Sequence, residues 1–547
     1  MDEYIIVGAG LSGLSAAIRF GEKGIKCNLI STQASERAQS VLAEGGINAA
    51  LNTMGENDSV MEHYEDTMKG GVYLADPNAV RNLTEHAPET VRRLLSIGVP
   101  FEKEGDKVLL RPFGGQKKRR TAYAKSSTGK VIMSSLIDEA RKYEAGGFIR
   151  RYAHHTVTEI LLEDGICYGI RMRDRYTKEN VVLYGSVILC IGGMNGLFPG
   201  MTTGTVNNTA ILTAKLFAKG IKFANLEFIQ YHPTTVGISG KRMLISEAAR
   251  GEGGRLWIQK GNDKYYFMEE KYPTLGNLMP RDVVSAEMEA VVKDKDTDGE
   301  VYLDMTNLPK EVFKSKLSDM RSELLEYKGV DISDTPVAVK PGIHFFMGGI
   351  WVDEYHRTSI RNLYAAGECA SQYHGANRLG GNSMLAAIYG GRVAADTAVS
   401  DENPEACHHT ESITECANQE GLLTFPAKEA EEIRDILLSG LGIVRCGEIL
   451  EETLRNLIGY REKVESEAYD KKYSDAEKEA LSERLLLGEA YLRAALSRKE
   501  SRGAHKRSDY PNPDEEYRKT TIVTYDGSDI HVEYEVIPAG GAYGDHT

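Results

Sequence analysis

The sequence predicts an α/β protein with a Rossmann-like domain, an inserted α+β capping domain and a C-terminal helical domain. Three observations support this prediction. An apolar run, a glycine-rich turn and a helix follow one another at the N-terminus, strand patterns resume after a segment of mixed character, and long amphipathic helices come last. At 547 residues the chain is long enough for about two to four domains, each with its own core.

The first predicted element is the strand Tyr4–Val7, which is followed by a helix that includes residues 15–20. Between them Gly8, Gly10 and Gly13 have the G-x-G-x-x-G spacing of a dinucleotide fingerprint. The first glycine allows a tight turn, the second lets the backbone approach a pyrophosphate, and the third lets helix and strand pack closely. The N-terminus of the helix would then hold the pyrophosphate.

The second predicted strand, residues 26–30, ends at Ser31. An NAD-binding unit usually has an acidic residue at this position to hold the ribose. Because Ser31 is neutral, the sequence argues against a plain NAD dehydrogenase. The following segment 43–47 is small and glycine-rich, which favours a backbone that lies flat against a cofactor ring.

The remaining elements follow from the apolar periodicity, which is 3.6 residues in helices and alternating or continuous in strands. Helices are predicted over residues 78–97, 130–144, 383–397, 429–438 and 462–496. Strands are predicted over residues 156–162, 166–173, 182–191, 350–352, 363–366, 520–525 and 531–536. The four adjacent cations of the loop 112–120 are typical of a solvated face, and the charged stretch 293–300 is typical of a linker.

These elements divide the chain into five parts. We expect a first part of the dinucleotide-binding domain over 1–226, the capping domain over 227–344, a second part of the binding domain over 345–403, the helical domain over 404–505 and a tail over 506–547.

Composition excludes several classes of protein. The net charge of −14 argues against a nucleic-acid surface. The seven cysteines include no C-x-x-C pair, which indicates reduced thiols and no iron–sulfur, zinc or other metal site. No apolar run reaches the roughly 18 residues of a membrane span, so direct membrane insertion is not expected. A strand that begins at Tyr4 leaves no room for a leader peptide, so we expect a cytoplasmic protein, with peripheral attachment to a membrane through a partner left open.

Five separated stretches carry the polar residues typical of an active site. They are Q-Y-H-P-T at 230–234, S-E-A-A-R-G-E-G-G at 246–254, P-R-D at 280–282, H-F-F-M-G-G at 344–349 and H-G-A-N-R-L-G-G-N-S at 374–383. In this order they resemble the flavoprotein subunit of fumarate reductase and succinate dehydrogenase, a family fold that L-aspartate oxidase shares. The resemblance implies that the Rossmann-like domain binds FAD.

The resemblance also implies how a small dicarboxylate substrate would be held. A dicarboxylate needs a cationic or donor group at each end, and the arginine fork matches a carboxylate. His344 and Arg378 would hold one carboxylate. His232, Ser246 and the backbone near Glu247 would hold the other.

The reaction implied is reduction of fumarate, or of a similar unsaturated dicarboxylate, to succinate by hydride transfer from flavin N5. In the family the arginine of the P-R-D motif donates the proton, and here it is Arg281. Since arginine is a poor acid in water, it needs a relay, and Glu247 and Arg250 match the relay positions of the family.

The FAD-contacting positions implied by the resemblance are spread over both parts of the binding domain. They are Gly8, Gly10, Leu11, Ser12, Ser31, Gln39, Ser40, Leu42, Glu44, Gly45, Gly46, Val157, Gly192, Glu368, Arg378, Ser383 and Met384. Glu368 is expected to accept hydrogen bonds from sugar hydroxyls, and the helix that begins near Ser383 is expected to point its N-terminus at the flavin.

Two positions depart from the family pattern. Membrane-bound reductases have a histidine that bonds covalently to FAD where this chain has Gln39. Because a carboxamide is not a nucleophile, we expect noncovalent FAD. The resemblance further implies a lower flavin potential and hence a preference for fumarate reduction over succinate oxidation. The stretch 206–210, V-N-N-T-A, stands where the family has T-G-D-G and an aspartate that contacts FAD.

Two other functions stay open from the sequence. L-aspartate oxidase binds an ammonium group through a glutamate in the basic loop, but this chain has Phe113 there. An electron-transfer flavoprotein with a vestigial site would not need Arg281, His344 and Arg378. The chain has no metal motif, and the resemblance implies an iron–sulfur subunit as its electron-transfer partner, although a stand-alone flavoprotein is also compatible with the sequence.

Overall fold

The fold was analysed in a computed structural model that describes residues 4–125, 127–205, 207–401, 427–466 and 473–539. The helices within these ranges are α1 (Leu11–Glu22), α2 (Val60–Gly70), α3 (Pro77–Ser96), α4 (Thr128–Ala145), α5 (Ile211–Ala218), α6 (Glu247–Gly251), α7 (Phe267–Lys271), α8 (Arg281–Val292), α9 (Lys310–Ser315), α10 (Ser318–Lys328), α11 (Asn382–Ser400), α12 (Ala427–Gly440), α13 (Gly447–Glu465) and α14 (Asp475–Ser497).

The strands in the same ranges are β1 (Tyr4–Val7), β2 (Cys27–Ser31), β3 (Ile47–Asn48), β4 (Lys103–Glu104), β5 (Lys107–Val108), β6 (Leu110–Arg111), β7 (Thr121–Ala122), β8 (Ile149–Ala153), β9 (His155–Glu163), β10 (Ile166–Asp174), β11 (Asn180–Tyr184), β12 (Ser186–Leu189), β13 (Phe223–Ala224), β14 (Ile229–Ile238), β15 (Lys241–Leu244), β16 (Arg255–Lys260), β17 (Asp263–Tyr265), β18 (Thr297–Asp304), β19 (Val337–Phe346), β20 (Gly349–Trp351), β21 (Leu363–Ala365), β22 (Ala370–Ser371), β23 (Val444–Arg445), β24 (Lys506–Arg507), β25 (Lys519–Tyr525) and β26 (Ile530–Val536).

A five-stranded parallel sheet in the order β21-β12-β1-β2-β8 forms the centre of the binding domain. Both of its faces are buried, because Ile5 and Val7 of β1 belong to one hydrophobic core and Ile6 belongs to another. This explains why β1 and β12 are apolar runs rather than alternating ones, whereas the edge strand β8 carries two arginines and is only partly buried. Helices α1 and α11 pack against each other beside the sheet. The predicted α/β fold class is confirmed.

The glycines of the first turn have the steric roles that the fingerprint predicts. Gly8 has a φ of +112°, and a Cβ there would lie 2.1 Å from the Cys190 carbonyl oxygen. A Cβ on Gly13 would lie 1.8 Å from the Gly8 carbonyl oxygen. A side chain at Gly13 would therefore push α1 away from the turn after β1, and one at Gly8 would push that turn away from the residue that follows β12.

The prediction of one strand over 182–191 is wrong, because two strands divide this apolar run. β11 pairs antiparallel with β10 in a three-stranded sheet, while β12 pairs parallel with β1 in the central sheet. Gly185 lies between them with a φ of +146°, a conformation that permits the change of sheet. The hydrophobic pattern could not show this break, since both strands are rich in apolar residues.

The inserted segment forms a six-stranded antiparallel sheet in the order β15-β14-β19-β18-β16-β17. Its own hydrophobic core includes Ile258 and Leu303 from the sheet and Met288 from α8. The prediction of a linker over the charged stretch 293–300 is wrong. Residues 293–296 follow the end of α8, and residues 297–300 begin β18, where Asp298 and Glu300 lie in the more exposed half of the strand.

The C-terminal region combines helices with a return to the first domain. The helix predicted over 462–496 is divided, because α13 ends at Glu465 and α14 begins after Ser474, whose side chain forms a capping box with Glu477. Strand β25 pairs with β13, so the tail joins a mixed sheet of the binding domain. No helix in the described ranges is long and apolar enough to cross a membrane.

Candidate active site

A cavity of about 550 Å³ lies where the carboxyl ends of β1, β2, β12 and β21 meet. This edge of an open parallel sheet is the usual position of a ligand site. Every predicted FAD-contacting residue lines the cavity, as do six of the seven predicted catalytic residues. The exception is Arg250, which lies behind the wall.

The residues at one end of the cavity fit a dinucleotide cofactor. The N-termini of α1 and α11 both open into it, through residues such as Leu11 and Ser383. The buried Ser31 hydroxyl has no hydrogen-bond partner within the protein, so it is available to a ligand. Two helix N-termini and an unpaired hydroxyl match the charge and the sugar groups of FAD.

Gln39 and Glu368 lie on the wall in defined orientations. Gln39 belongs to a 3₁₀ turn, Gln39–Leu42, and its carbonyl oxygen accepts a hydrogen bond from the Thr205 amide. Glu368 accepts from the Phe346 amide at 3.2 Å. Burial raises the pKa of Glu368 to about 7, although the Phe346 amide and the charge of Arg378 oppose the shift.

Sequence reasoning missed part of the wall around the cofactor end. Gln33 and Asn207 form a reciprocal pair of amide hydrogen bonds across the cavity rim, and the Asn207 nitrogen donates to the Gln33 oxygen at 2.9 Å. Asn208 also lines the cavity, whereas Val206 lies outside the described residues. Asn207 and Asn208 of the segment that departs from the family pattern therefore still line the cavity, and the pairing of Asn207 with Gln33 is the part that neither periodicity nor motif spacing could show.

The other end of the cavity gathers the predicted catalytic side chains from separate elements. Neighbouring strands β14 and β19 carry His232 and His344, and their ring centroids lie 5.2 Å apart. Ser246 caps α6, Glu247 begins that helix, and Arg281 begins α8. Arg378 lies in the loop before α11.

Glu247 binds Arg281 directly. The Arg281 Nε donates to Glu247 Oε2 at 2.9 Å, and the Gly114 amide donates to Glu247 Oε1 at 2.8 Å. Burial alone would raise the pKa of Glu247, but the charges of Arg281 and Arg250 outweigh it and lower the pKa overall. The carboxylate is therefore ionised beside the arginine.

Both histidines of the site are neutral. Burial, followed by the charge of Arg281, lowers the pKa of His232 and of His344 well below the ordinary value. The Thr203 hydroxyl lies 2.7 Å from His344 Nδ1. The His232 Nε2 is buried without a hydrogen-bond partner in the protein. Neutral imidazoles at these positions can donate a hydrogen bond to a carboxylate without adding charge.

Arg250 and Arg378 are buried cations with unused donors. Arg250 donates to the Asn277 carbonyl from Nη1, while its Nε and Nη2 have no hydrogen-bond partner in the protein. The Nε of Arg378 is also unpartnered. Burial, and then the charge of Arg281, lowers the pKa of Arg378 well below its ordinary value. A bound anion would restore the balance of charge.

The basic loop departs at one residue from the solvated face that is predicted for it, because the Lys117 side chain is exposed and that of Arg119 is partly exposed, whereas that of Arg120 is not. Arg120 is fully buried and pairs with Asp58 at 2.9 Å and Asp66 at 3.0 Å. Phe113, at the start of the loop, lines the cavity. The loop therefore tethers one wall of the site to α2. In the described part of the chain, no group of three or more His, Cys, Asp or Glu side chains could hold a metal ion.

Comparisons with known proteins agree with this geometry. A family profile described as "FAD binding domain" matches residues 3–384, and one described as "Fumarate reductase flavoprotein C-term" matches residues 430–540. The chain is 36% identical to the succinate dehydrogenase flavoprotein subunit of Bacillus subtilis, over 95% of this chain and 93% of that protein. It is 33% identical to the L-aspartate oxidase of Pyrococcus furiosus, over 94% of this chain and 97% of that protein.

A solved structure gives the same result for the fold. The FrdA chain of E. coli quinol fumarate reductase, in a mutant form, superposes with a TM-score of 0.85. The two chains are 28% identical, and the match covers 99% of this chain and 97% of that one.

Proposed function

Because the chain belongs to the family of FAD-dependent succinate dehydrogenase and fumarate reductase flavoproteins, we propose that it reduces fumarate, or a similar unsaturated dicarboxylate, to succinate. One observation carries the proposal. Arg281, Arg378, His232 and His344 face one cavity that also has the features of an FAD site.

The charges of this chamber favour a dianion. Arg281, Arg378 and Arg250 bring three guanidinium groups together, and Glu247 neutralises only part of their charge. Unpaired donors on His232 and Arg378 are buried in the same region. Because a buried donor without a partner costs about 1–3 kcal/mol, a ligand with carboxylates at both ends would be stabilised here.

We assign the two carboxylates to separate clamps. His344 and Arg378 would hold one end, and His232 with the Ser246 end of α6 would hold the other. Such clamps fix the central carbons of the substrate and polarise the double bond, an electrostatic effect that is often the largest contribution to catalysis. Bound FAD, once reduced by the electron donor, would supply the hydride that one of these carbons receives.

Arg281 would deliver the proton to the other carbon. Its Nε–H already donates to Glu247, so the carboxylate stabilises the cation and can return a proton after turnover. Arg250 would complete this relay behind Glu247, with unpartnered N–H groups that could pass a proton onward. The substrate gains one hydride and one proton, which converts fumarate to succinate.

Phe113 favours an alkene substrate over an amino acid. Its ring lies so close to Gly45 that a Cβ on Gly45 would be 3.0 Å from it. An apolar ring in this position cannot neutralise the ammonium group of L-aspartate, and Glu247 is engaged by Arg281 and Gly114. We therefore rank L-aspartate oxidase second.

The other expectations stand as parts of this proposal. Gln39 leaves FAD without a covalent link, which lowers the flavin potential and favours fumarate reduction over succinate oxidation. The electrons would come from an iron–sulfur subunit, because the chain's own motifs supply no metal centre. The division of the chain at residues 227, 345 and 506 is likewise proposed, and so is the division at residue 404, which lies outside the described residues.

Two assays on the purified holoprotein test the proposal. One supplies fumarate and reduced viologen, and the other supplies L-aspartate and oxygen. We expect turnover in the first assay and none in the second. Turnover of L-aspartate alone would overturn the assignment, and unchanged fumarate turnover in Arg281→Ala would remove the proton-donor role.

A further inference from the structure

We propose that Gln230 is a positioning residue that holds Arg281 and Arg378 in their working orientation, an inference that rests on the function proposed above. Gln230 is fully buried in β14 and does not line the cavity. Its carbonyl oxygen accepts from Arg281 Nη1 at 3.1 Å and from Arg378 Nη2 at 3.0 Å. One amide oxygen thus joins the predicted proton donor to a predicted carboxylate clamp.

The orientation of this amide is fixed from its other side. Gln230 Nε2 donates to Asn377 Oδ1 at 2.7 Å and to the Arg378 carbonyl at 2.9 Å. Both partners are acceptors, so the nitrogen must face them and the oxygen must face the arginines. The amide therefore has one arrangement in which every hydrogen bond is made.

Asn377 is held in turn by residues that continue the chain of contacts. Its Nδ2 donates to Asp282 Oδ1 at 2.8 Å, and Asp282 Oδ2 lies 3.3 Å from Lys506 Nζ. Asp282 follows Arg281 at the start of α8, and Asn377 precedes Arg378. Each arginine is therefore fixed through its backbone neighbour as well as through Gln230.

A neutral amide suits this position better than an acid or an apolar group. The two guanidinium groups repel each other. The oxygen that both of them bind offsets this repulsion without cancelling their positive charge. A carboxylate would hold the arginines but would compete with the substrate. An apolar side chain would leave two buried donors without an acceptor.

These differences predict that two variants change different kinetic constants. Gln230→Met should mainly lower kcat for fumarate, by at least about tenfold, because the arginines lose their shared acceptor. Gln230→Glu should keep an acceptor for both arginines, although it loses the two hydrogen bonds that Nε2 donates, and should mainly raise KM for fumarate, with a matching rise in the Kd for succinate measured by flavin absorbance. A residue that only stabilised the fold would change both variants' thermal stability without this split.

The experiment uses holoprotein with its FAD content and thermal midpoint measured for each variant. Gln372→Met is the matched control, because Gln372 is a buried glutamine that donates to the Asp353 carbonyl and does not line the cavity. Asn377→Leu should lower kcat in the wild-type background and add little in the Gln230→Met background, since it acts through the same amide.

Several outcomes would overturn the inference. They are fumarate kinetics within about threefold of wild type in Gln230→Met with full FAD, equal effects of Gln372→Met, and additive effects of Gln230→Met and Asn377→Leu. If Gln230→Met does not fold, the KM of Gln230→Glu and the kcat of Asn377→Leu test the inference, and wild-type values in both variants would overturn it. Wild-type protein that neither turns over fumarate nor binds succinate would instead remove the proposed function, and this inference with it.

Discussion

The exchange Glu247→Gln tests the link between the charge at α6 and proton delivery by Arg281. The carboxylate accepts from Arg281 Nε at 2.9 Å and from the Gly114 amide at 2.8 Å, and its side chain is only 4% exposed. Glutamine has one acceptor oxygen, so its amide nitrogen would face one of these two donors. The variant therefore loses at least one of the two hydrogen bonds that the charged carboxylate accepts.

The size of the effect follows from that loss. A hydrogen bond to a charged group contributes about 1.5–3 kcal/mol. Because about 1.36 kcal/mol corresponds to a tenfold change in rate, kcat for fumarate reduction should fall about 10- to 150-fold. KM should stay the same or fall, because removing a negative charge strengthens the attraction of the chamber for a dianion.

Steady-state kinetics of the holoprotein with fumarate and reduced viologen measure both quantities. Glu252→Gln is a suitable control, because Glu252 ends the same helix and pairs with Lys316 on the partly exposed side. The control should retain wild-type kinetics. A Glu247→Gln variant with full FAD and a kcat within about threefold of wild type would refute the reasoning about the relay.

Three further predictions concern the cofactor, the core and pH. Acid precipitation should leave the yellow colour in the supernatant because Gln39 cannot bond covalently to FAD; a yellow pellet would contradict this. Arg498→Met should lower the unfolding free energy by about 3–5 kcal/mol in chemical denaturation, because Arg498 and Glu227 form a fully buried ion pair at 2.6 Å. The control Arg141→Met removes an exposed ion pair and should leave the unfolding free energy unchanged. Burial lowers the pKa of His356 to about 4, so the unfolded chain binds a proton first as pH falls. The contribution of His356 to the unfolding free energy should therefore be fully present above pH ~6.5 and fall between pH ~6.5 and ~4, by up to about 1.4 kcal/mol per pH unit. In urea unfolding, a His356→Gln variant should lose less unfolding free energy per pH unit over this range.

The sequence predicted the elements that a single local pattern determines. The glycines of the first turn, the apolar strands of the central sheet and the two strands β25 and β26 all follow from spacing that can be read within about fifteen residues. The family resemblance also assigned residues that are far apart in the chain to one site. Those residues line one cavity, because strand ends and helix starts carry them to the same edge of the sheet.

Features that depend on three-dimensional neighbours could not be predicted in this way. The break at Gly185 has no signal in hydrophobicity, because it depends on which sheet each half of the run joins. The burial of Arg120 could not be predicted, because in the sequence it looks like the more exposed cations beside it, and only the fold brings Asp58 and Asp66 to it. Gln230 belonged to a recognised motif, but its role follows only from the distances that join it to two arginines.

The most direct test of the account compares fumarate with its monomethyl ester. The two substrates share the same double bond, but the ester lacks one negative charge, so only one clamp can bind it fully. Because a charge-assisted contact contributes about 1.5–3 kcal/mol, kcat/KM for the ester should be at least about tenfold lower than for fumarate. Equal kcat/KM values for the two substrates would contradict a site built from cationic clamps at both ends.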